Sequence, residues 1–192
     1  MLASASPRRR ELLTRAGIRF EVKPSNVPEQ PRPGEAPAQL ARRLASEKAQ
    51  AVARGLGPAP PRWVLGADTI VVIDGDVLGK PADAEHAVAL LRRLVGRRHS
   101  VLTAVALVAS DTLSERHTVV ESAVTMRAAD ERELRAYVAT GESLDKAGAY
   151  AAQGNGRRLI EKIEGSETNV IGLPLEETLE LLRAAGFAVG VA

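Results

Sequence analysis

Two apolar runs separated by polar punctuation dominate the middle of the chain, in the stretch VLGADTIVVIDGDVLGKP from Val64 to Pro81. Trp63-Val64-Leu65 is a short run broken by Gly66. Asp68-Thr69 follows, and then a β-branched run from Ile70 to Ile73. This predicts two buried strand segments with an acid between them. Asp74-Gly75 predicts a tight hairpin turn, because Gly accepts the positive φ such turns need. Val77-Leu78 returns before Gly79-Lys80-Pro81.

Upstream, Leu2-Ala3 predicts the end of a short strand. Ser6 as N-cap and Pro7 at the first helical position predict a helix closed by Gly17. Arg19 to Lys23 reads as a strand, and Pro24 through Pro37 as a Pro-rich loop suited to a lid or a connection between lobes. From Ala38 to Ala53 a helical period sets Leu40, Leu44 and Ala51 on one face, and Gly55 ends it. Gly55 to Pro61 is a linker.

Downstream, Asp83 is expected to cap a helix carrying Ala87, Leu90, Leu91 and Leu94. His99 to Ala109 and Thr118 to Met126 are strands, and Asp130 with Glu133 starts a helix ending at Gly141. Leu159 to Ile163 is a strand, and Leu175 to Ala185 is the last helix, capped by Gly186. Strands alternating with helices predict an α/β architecture.

Composition narrows the partners. The 192 residues suit one domain or two closely packed lobes, and 45% hydrophobic residues suffice for a core. No run approaches the roughly 20 apolar residues of a membrane span, and MLASASPRRR has no apolar segment of a secretory signal. Zero cysteines exclude a disulfide framework and a thiolate metal site, so a cytoplasmic protein is expected. A net charge of +2 and 3% aromatics argue against a nucleic-acid binder that works by a basic arm or base stacking. His86, His99 and His117 lack ligand spacing and read as structural or exposed, which argues against a zinc hydrolase.

Three stretches carry candidate chemistry. In Ser4-Ala5-Ser6-Pro7-Arg8-Arg9-Arg10, hydroxyls, arginines and unpaired N–H groups meet at a helix N-terminus, which favours a phosphate. Cations there oppose the helix macrodipole, so helix stability alone does not explain them. Asp68 with Lys80 forms the skeleton of a phosphate-handling site; a turn-capping Asp and a solvated Lys are the plain alternative. Lys48 is one of only five lysines in an arginine-rich chain, and nothing local separates a site role from a solvated helix residue. Asp145-Lys146-Ala147-Gly148-Ala149-Tyr150-Ala151-Ala152-Gln153-Gly154 predicts a structured loop whose glycines let the backbone approach a ligand.

Taken together, Ser4–Arg9, Gly66–Thr69, Gly79–Pro81 and Asp145–Gly154 resemble, in order and spacing, the Maf family of nucleoside triphosphate pyrophosphatases, once called septum-formation inhibitors. The likeness extends through Leu44–Ala49, Gly96–Thr103 and Asn169–Pro174, and so covers residues 1–192 as a single domain. It implies a mixed central sheet flanked by helices, with two lobes around a cleft, shared with inosine-triphosphate pyrophosphatases. It further implies a cytoplasmic homodimer that hydrolyses a nucleoside triphosphate to monophosphate and pyrophosphate with a divalent metal, Mg²⁺ or Mn²⁺, and binds neither nucleic acid nor membrane.

Carried onto this chain, the resemblance makes Asp68 the proton acceptor, with Lys48 and Lys80 as catalytic point charges. Ser4, Arg8 and Arg9 hold phosphates, and Glu29 joins Asp68 at the metal. Arg8, Thr69 and Gln153 lie where the family sets substrate specificity. The wording DKAGAY followed by QG matches the dTTP/UTP branch, and an amide with a hydroxyl is equipped to read a pyrimidine edge. Cations around Asp68 are expected to keep its basicity modest. Two departures stand out: Asn26 and Pro28 replace the acids common before Glu29, and Met126 replaces an aromatic. The alternatives are a nucleotide-binding regulator of septum formation with little turnover, and a pyrophosphatase of 7-methyl-GTP or another purine nucleotide.

Overall fold

The computed structural model describes residues 1–56 and 60–189. Its elements are α1 (Pro7–Arg15), α2 (Pro37–Arg54), β1 (Trp63–Ile73), β2 (Asp76–Leu78), α3 (Ala84–Leu94), β3 (Arg98–Ala109), β4 (Glu115–Met126), α4 (Glu131–Val138), β5 (Ile160–Glu164), α5 (Glu167–Ile171) and α6 (Leu175–Ala184). Two 3-10 turns, Ala147–Ala149 and Gly154–Leu159, lie between α4 and β5. Among the described residues the strands form one sheet in the order β2-β1-β3-β4-β5. β1–β2 and β4–β5 pair antiparallel, while Leu2 adds parallel bridges to Val22 and Leu65. The α/β class with mixed strand pairing holds.

The chain divides into two compact units. The first comprises Met1–Asp68, Thr103–Val120 and the residues from Gly172 on; the second comprises Thr69–Leu102 and Glu121–Ile171. The second unit has its own core, in which Val71, Ile73 and Leu78 of the β1–β2 hairpin meet Leu91 and Leu94 of α3 and Leu134 of α4. The first buries Leu2, Leu12, Leu13, Leu40, Leu44, Val52, Val64 and Leu65. α1 has nine residues, too few to persist alone. Burial of Leu12 and Leu13, roughly 2 kcal/mol each, is what retains it.

Most predicted signals act as expected. Ser6 caps α1 by accepting from Arg9 N, Asp83 caps α3 and Asp130 caps α4. Asp74 and Gly75 both take positive φ, 55° and 84°, and set the register Ile73↔Asp76. Of the expected capping pair at α4, only Asp130 acts; the Glu133 carboxylate binds Arg127 instead. Residues 57–59 of the Gly55–Pro61 linker lie outside the described residues.

Three expectations change. Arg19 to Lys23 is not a strand: only Val22 bridges, because its partner is the single residue Leu2, held by Leu2 N–H to Glu21 O and Lys23 N–H to Leu2 O at 2.8 and 3.0 Å. Pro24 then offers no N–H to continue. Asn169 to Pro174 reads in the sequence as a lead into the last helix, but its first residues belong to the short helix α5, Glu167–Ile171.

Gly66 does not break the strand; β1 runs unbroken through it for 11 residues. The missing side chain serves packing instead. A Cβ at Gly66 would lie 2.2 Å from Ala45 O and 2.8 Å from Ala49 N, both in α2. Glycine therefore admits the backbone of α2 against β1.

Gly66→Ala is expected to destabilise the protein by about 3 kcal/mol, the upper range for overpacking, because backbone rather than a flexible side chain opposes the new methyl. Urea denaturation checks it. A loss under 0.5 kcal/mol, within the range of neutral surface changes, would mean that α2 yields freely.

Candidate active site

The close approach of α2 to β1 in the first unit puts a lysine beside an acid. Lys48 and Asp68 are 8% and 7% exposed, and Lys48 Nζ lies 2.6 Å from Asp68 Oδ1. The same ammonium lies 2.5 Å from Glu29 Oε1. One buried cation is thus shared by two carboxylates. Of the two roles open to Lys48, the solvated helix residue is excluded by this burial.

Arg9 completes the charge cluster. Its Nε donates to Gly172 O at 2.8 Å and its Nη1 to Ser4 Oγ at 3.1 Å, and Ser4 Oγ also accepts from Ser6 N–H. Gly172 holds φ at +126°, a region L side chains rarely adopt. That accounts for the Asn169–Pro174 stretch standing among the motifs: its glycine turns a carbonyl onto Arg9. Burial lowers the Arg9 guanidinium from its ordinary value; Asp68 and then Glu29 oppose this, and Arg8 adds to it. Arg8 itself is half-buried.

Asp68 corrects one expectation. Its carboxyl is held above the ordinary 3.8, because burial outweighs the attraction of Lys48 and Arg9, and Glu29 adds to the rise. Desolvation exceeds the effect of the surrounding cations, so Asp68 is a better base than those cations alone would leave it.

Glu29 sits on the loop before α2, and an arginine clasp holds that loop in place. Arg43 of α2 donates to both oxygens of Glu35 at 2.6 and 2.7 Å, to Glu47 at 3.1 Å, and to Gln30 O, next to Glu29, at 3.1 Å. The Arg43 and Glu35 side chains are 14% and 9% exposed, so this pair is shielded from water in a way surface pairs are not. The clasp lies outside every motif, and apart from the i,i+4 pair Arg43–Glu47 its spacing gives no local signal.

The remaining candidates belong to the second unit. Thr69, half-buried, follows Asp68 directly along β1; Lys80 is exposed, and Gln153 is half-buried. Gly148 N–H donates to Gly79 O at 3.1 Å, which joins the Gly79–Pro81 turn to the Asp145–Gly154 loop. Gly148 takes φ +67°, and a Cβ there would meet the Val71 side chain at 3.1 Å, so this glycine serves both the turn and the packing on β1. His99 is buried and bonded to Tyr150 Oη at 2.8 Å, and burial takes its imidazole from 6.5 to about 4. It is the structural histidine the sequence suggested.

Among the described residues no three His, Asp or Glu side chains converge as a metal site. The oxygens of Asp68 and Glu29 nevertheless suit a hard divalent cation, which Mg²⁺ typically meets with one or two carboxylates, water and substrate phosphates. That the Lys48 ammonium already sits against both carboxylates is consistent with cation binding there. The residues fit a metal shared with a polyphosphate, not an all-protein cage.

A buried base with its lysine, beside arginines at a helix N-terminus of an α/β chain, defines a protein equipped to act on a polyanion. Residues 1–185 match the family described as Maf-like protein, and the chain belongs to that family. It is 50% identical over 186 residues to a dTTP/UTP pyrophosphatase of Geobacter metallireducens, covering 97% of this chain and 95% of the relative. It is 51% identical to a protein of the same name from Myxococcus xanthus (97% and 92% covered) and 49% identical to one from Geobacter sulfurreducens (97% and 96%).

Lys48→Met should cost roughly 3 kcal/mol, the low end for breaking a buried pair, since it strands the buried Asp68 carboxylate while Glu29, 43% exposed, keeps its water. The sign with pH follows. Without the ammonium the Asp68 pKa rises further, so protonation relieves the defect, and the deficit against wild type should be smaller at pH 5 than at pH 8. Urea melts at both pH values decide it; an equal deficit would mean the pair carries no linked proton.

Proposed function

We propose that this chain is a cytoplasmic, homodimeric nucleoside triphosphate pyrophosphatase hydrolysing dTTP and UTP to the monophosphate and pyrophosphate. The observation that carries the proposal is the buried Asp68 held by Lys48 beside Arg9 and Glu29. Pure binding of a polyanion needs cations, not a desolvated carboxylate whose affinity for protons is raised. Relatives near 50% identity that bear the name dTTP/UTP pyrophosphatase support the substrate. Location and dimeric state rest on the family resemblance. Among the described residues no helix is long and apolar enough to cross a membrane.

In the proposed reaction, Asp68 takes a proton from a water as that oxygen bonds to the α-phosphorus. The bond from phosphorus to the bridging oxygen breaks, and its electron pair leaves with pyrophosphate. Lys48 supplies positive charge beside the base; Lys80, in the second unit, is assigned to the leaving phosphates. Arg8 and Arg9, with Ser4 and the α1 N-terminus, hold phosphate oxygens. Glu29 and Asp68 would hold the divalent metal, Mg²⁺ or Mn²⁺, which when bound neutralises phosphate charge and acidifies water. Thr69 and Gln153 are assigned to the pyrimidine edge.

Pyrophosphate release from canonical and modified nucleoside triphosphates is the test, wild type beside Asp68→Asn. Rapid release from dTTP and UTP is expected, reduced about 10²-fold or more in the variant. Activity confined to purine or 7-methylated nucleotides would overturn the substrate, and absence of turnover would overturn the enzyme.

A further inference from the structure

One carboxylate of the second unit is fully committed to organising the loop that carries Gln153. Glu142 lies just after Gly141, whose φ of +79° ends the α4 region. Its Oε1 and Oε2 accept from Asn155 N–H at 3.2 and 3.0 Å, its Oε1 from Asn155 Nδ2 at 2.8 Å, and its Oε2 from Gly156 N–H at 3.2 Å. These donors, led by Asn155 N–H, hold the carboxyl below its usual range, so it is ionised wherever the protein is folded near neutrality.

The seat is tight as well as charged. Gly154 adopts φ +64°, and a Cβ there would lie 2.8 Å from Glu142 Oε1. A side chain there would push the Glu142 carboxylate off the loop. The contact begins two residues after Gln153 and sits at the first turn of the 3-10 segment Gly154–Leu159, of which Gln153 is the N-cap residue. The opposite end of the Glu142 backbone is also fixed: its carbonyl accepts from Lys146 Nζ at 2.5 Å, tying it to the Asp145–Gly154 loop. A glutamate whose side chain binds one end of a loop and whose carbonyl binds the other sets that loop's shape.

We propose that Glu142 is a positioning residue for base selection: by fixing the backbone of Asn155 and Gly156, it sets the direction in which the Gln153 amide is presented. This deepens the dTTP/UTP assignment and rests on Gln153 reading the pyrimidine edge. UTP and dTTP present a C4 carbonyl where CTP presents an amine, so an amide held in one orientation distinguishes them, whereas a mobile one can turn to suit either.

The experiment compares kcat/KM for UTP and CTP in wild type, Glu142→Gln, Gln153→Ala and the double variant, with Tm recorded for each. Glu142→Gln is nearly isosteric but turns an N–H donor toward the loop N–H groups. It should lower the UTP/CTP ratio about 10-fold, the scale of one lost polar discrimination. The double variant should be no less selective than Gln153→Ala, because Glu142 acts through Gln153. A purely structural role would lower Tm, or kcat/KM for both nucleotides alike, leaving the ratio at the wild-type value; that result overturns the inference. An unchanged ratio in Gln153→Ala would instead overturn the underlying reading of Gln153. Glu142→Asp, which keeps the charge but withdraws its oxygens by one carbon, gives the same readout where Glu142→Gln fails to fold.

Discussion

The first unit depends on how closely α2 lies against β1. A missing side chain at Gly66 sets that distance, since even a methyl there would stand 2.2 Å from a helix carbonyl. The contact falls between Ala45 and Ala49, and Lys48 is on the same turn of α2. Two residues beyond Gly66 on β1 stands Asp68. A strand repeats its facing every two residues, so Gly66 and Asp68 look toward the same helix. Once the backbones touch at Gly66, Lys48 has Asp68 within hydrogen-bond reach at 2.6 Å. Packing, rather than any local motif, makes the ion pair.

The pair then sets the proton affinity of Asp68, the base of the proposed reaction. A carboxylate buried alone would stay protonated, and one crowded by cations would be a poor base. Asp68 lies between these limits. Burial pulls its pKa up, while Lys48 and Arg9 pull it down less strongly. Glu29 pushes in the same direction as burial, and the Arg43–Glu35 clasp fixes its loop on α2. The clasp and Gly66 therefore act on the same quantity, the proton affinity of one carboxylate, from opposite sides of α2.

Element types were largely legible from the sequence because their signals are local: caps at Ser6, Asp83 and Asp130, the Asp74-Gly75 turn, and the apolar periods of α2, α3 and β3. What failed was the reading of a glycine. Gly66 looks like a strand break, yet it is the contact point for α2. A glycine's sequence neighbours do not tell whether it serves φ or space. Arg19–Lys23 failed for a related reason: a strand needs a partner of matching length, and Leu2 supplies a single bridge. In the charge cluster of the first unit, Asp68, Lys48 and the Ser4–Arg9 stretch were legible as residues. Their grouping was not, because Lys48 reaches Asp68 across 20 positions and Arg9 reaches Gly172 across 163.

The same distinction separates the residues assigned to the substrate from those that hold them. The assigned residues sit in short motifs with a recognisable chemical logic: an acid beside a hydroxyl, arginines at a capped helix, an amide before a glycine. Holding residues such as Arg43 and Glu142 sit outside those motifs, and part of what each binds is backbone that any residue supplies. Arg43 spends one of its bonds on the Gln30 carbonyl, and Glu142 accepts from the Asn155 and Gly156 N–H groups. A side chain that binds backbone leaves no complementary residue in the sequence to point to it. It becomes visible only once the chain is folded, and this limits what motif reading alone recovers of a site.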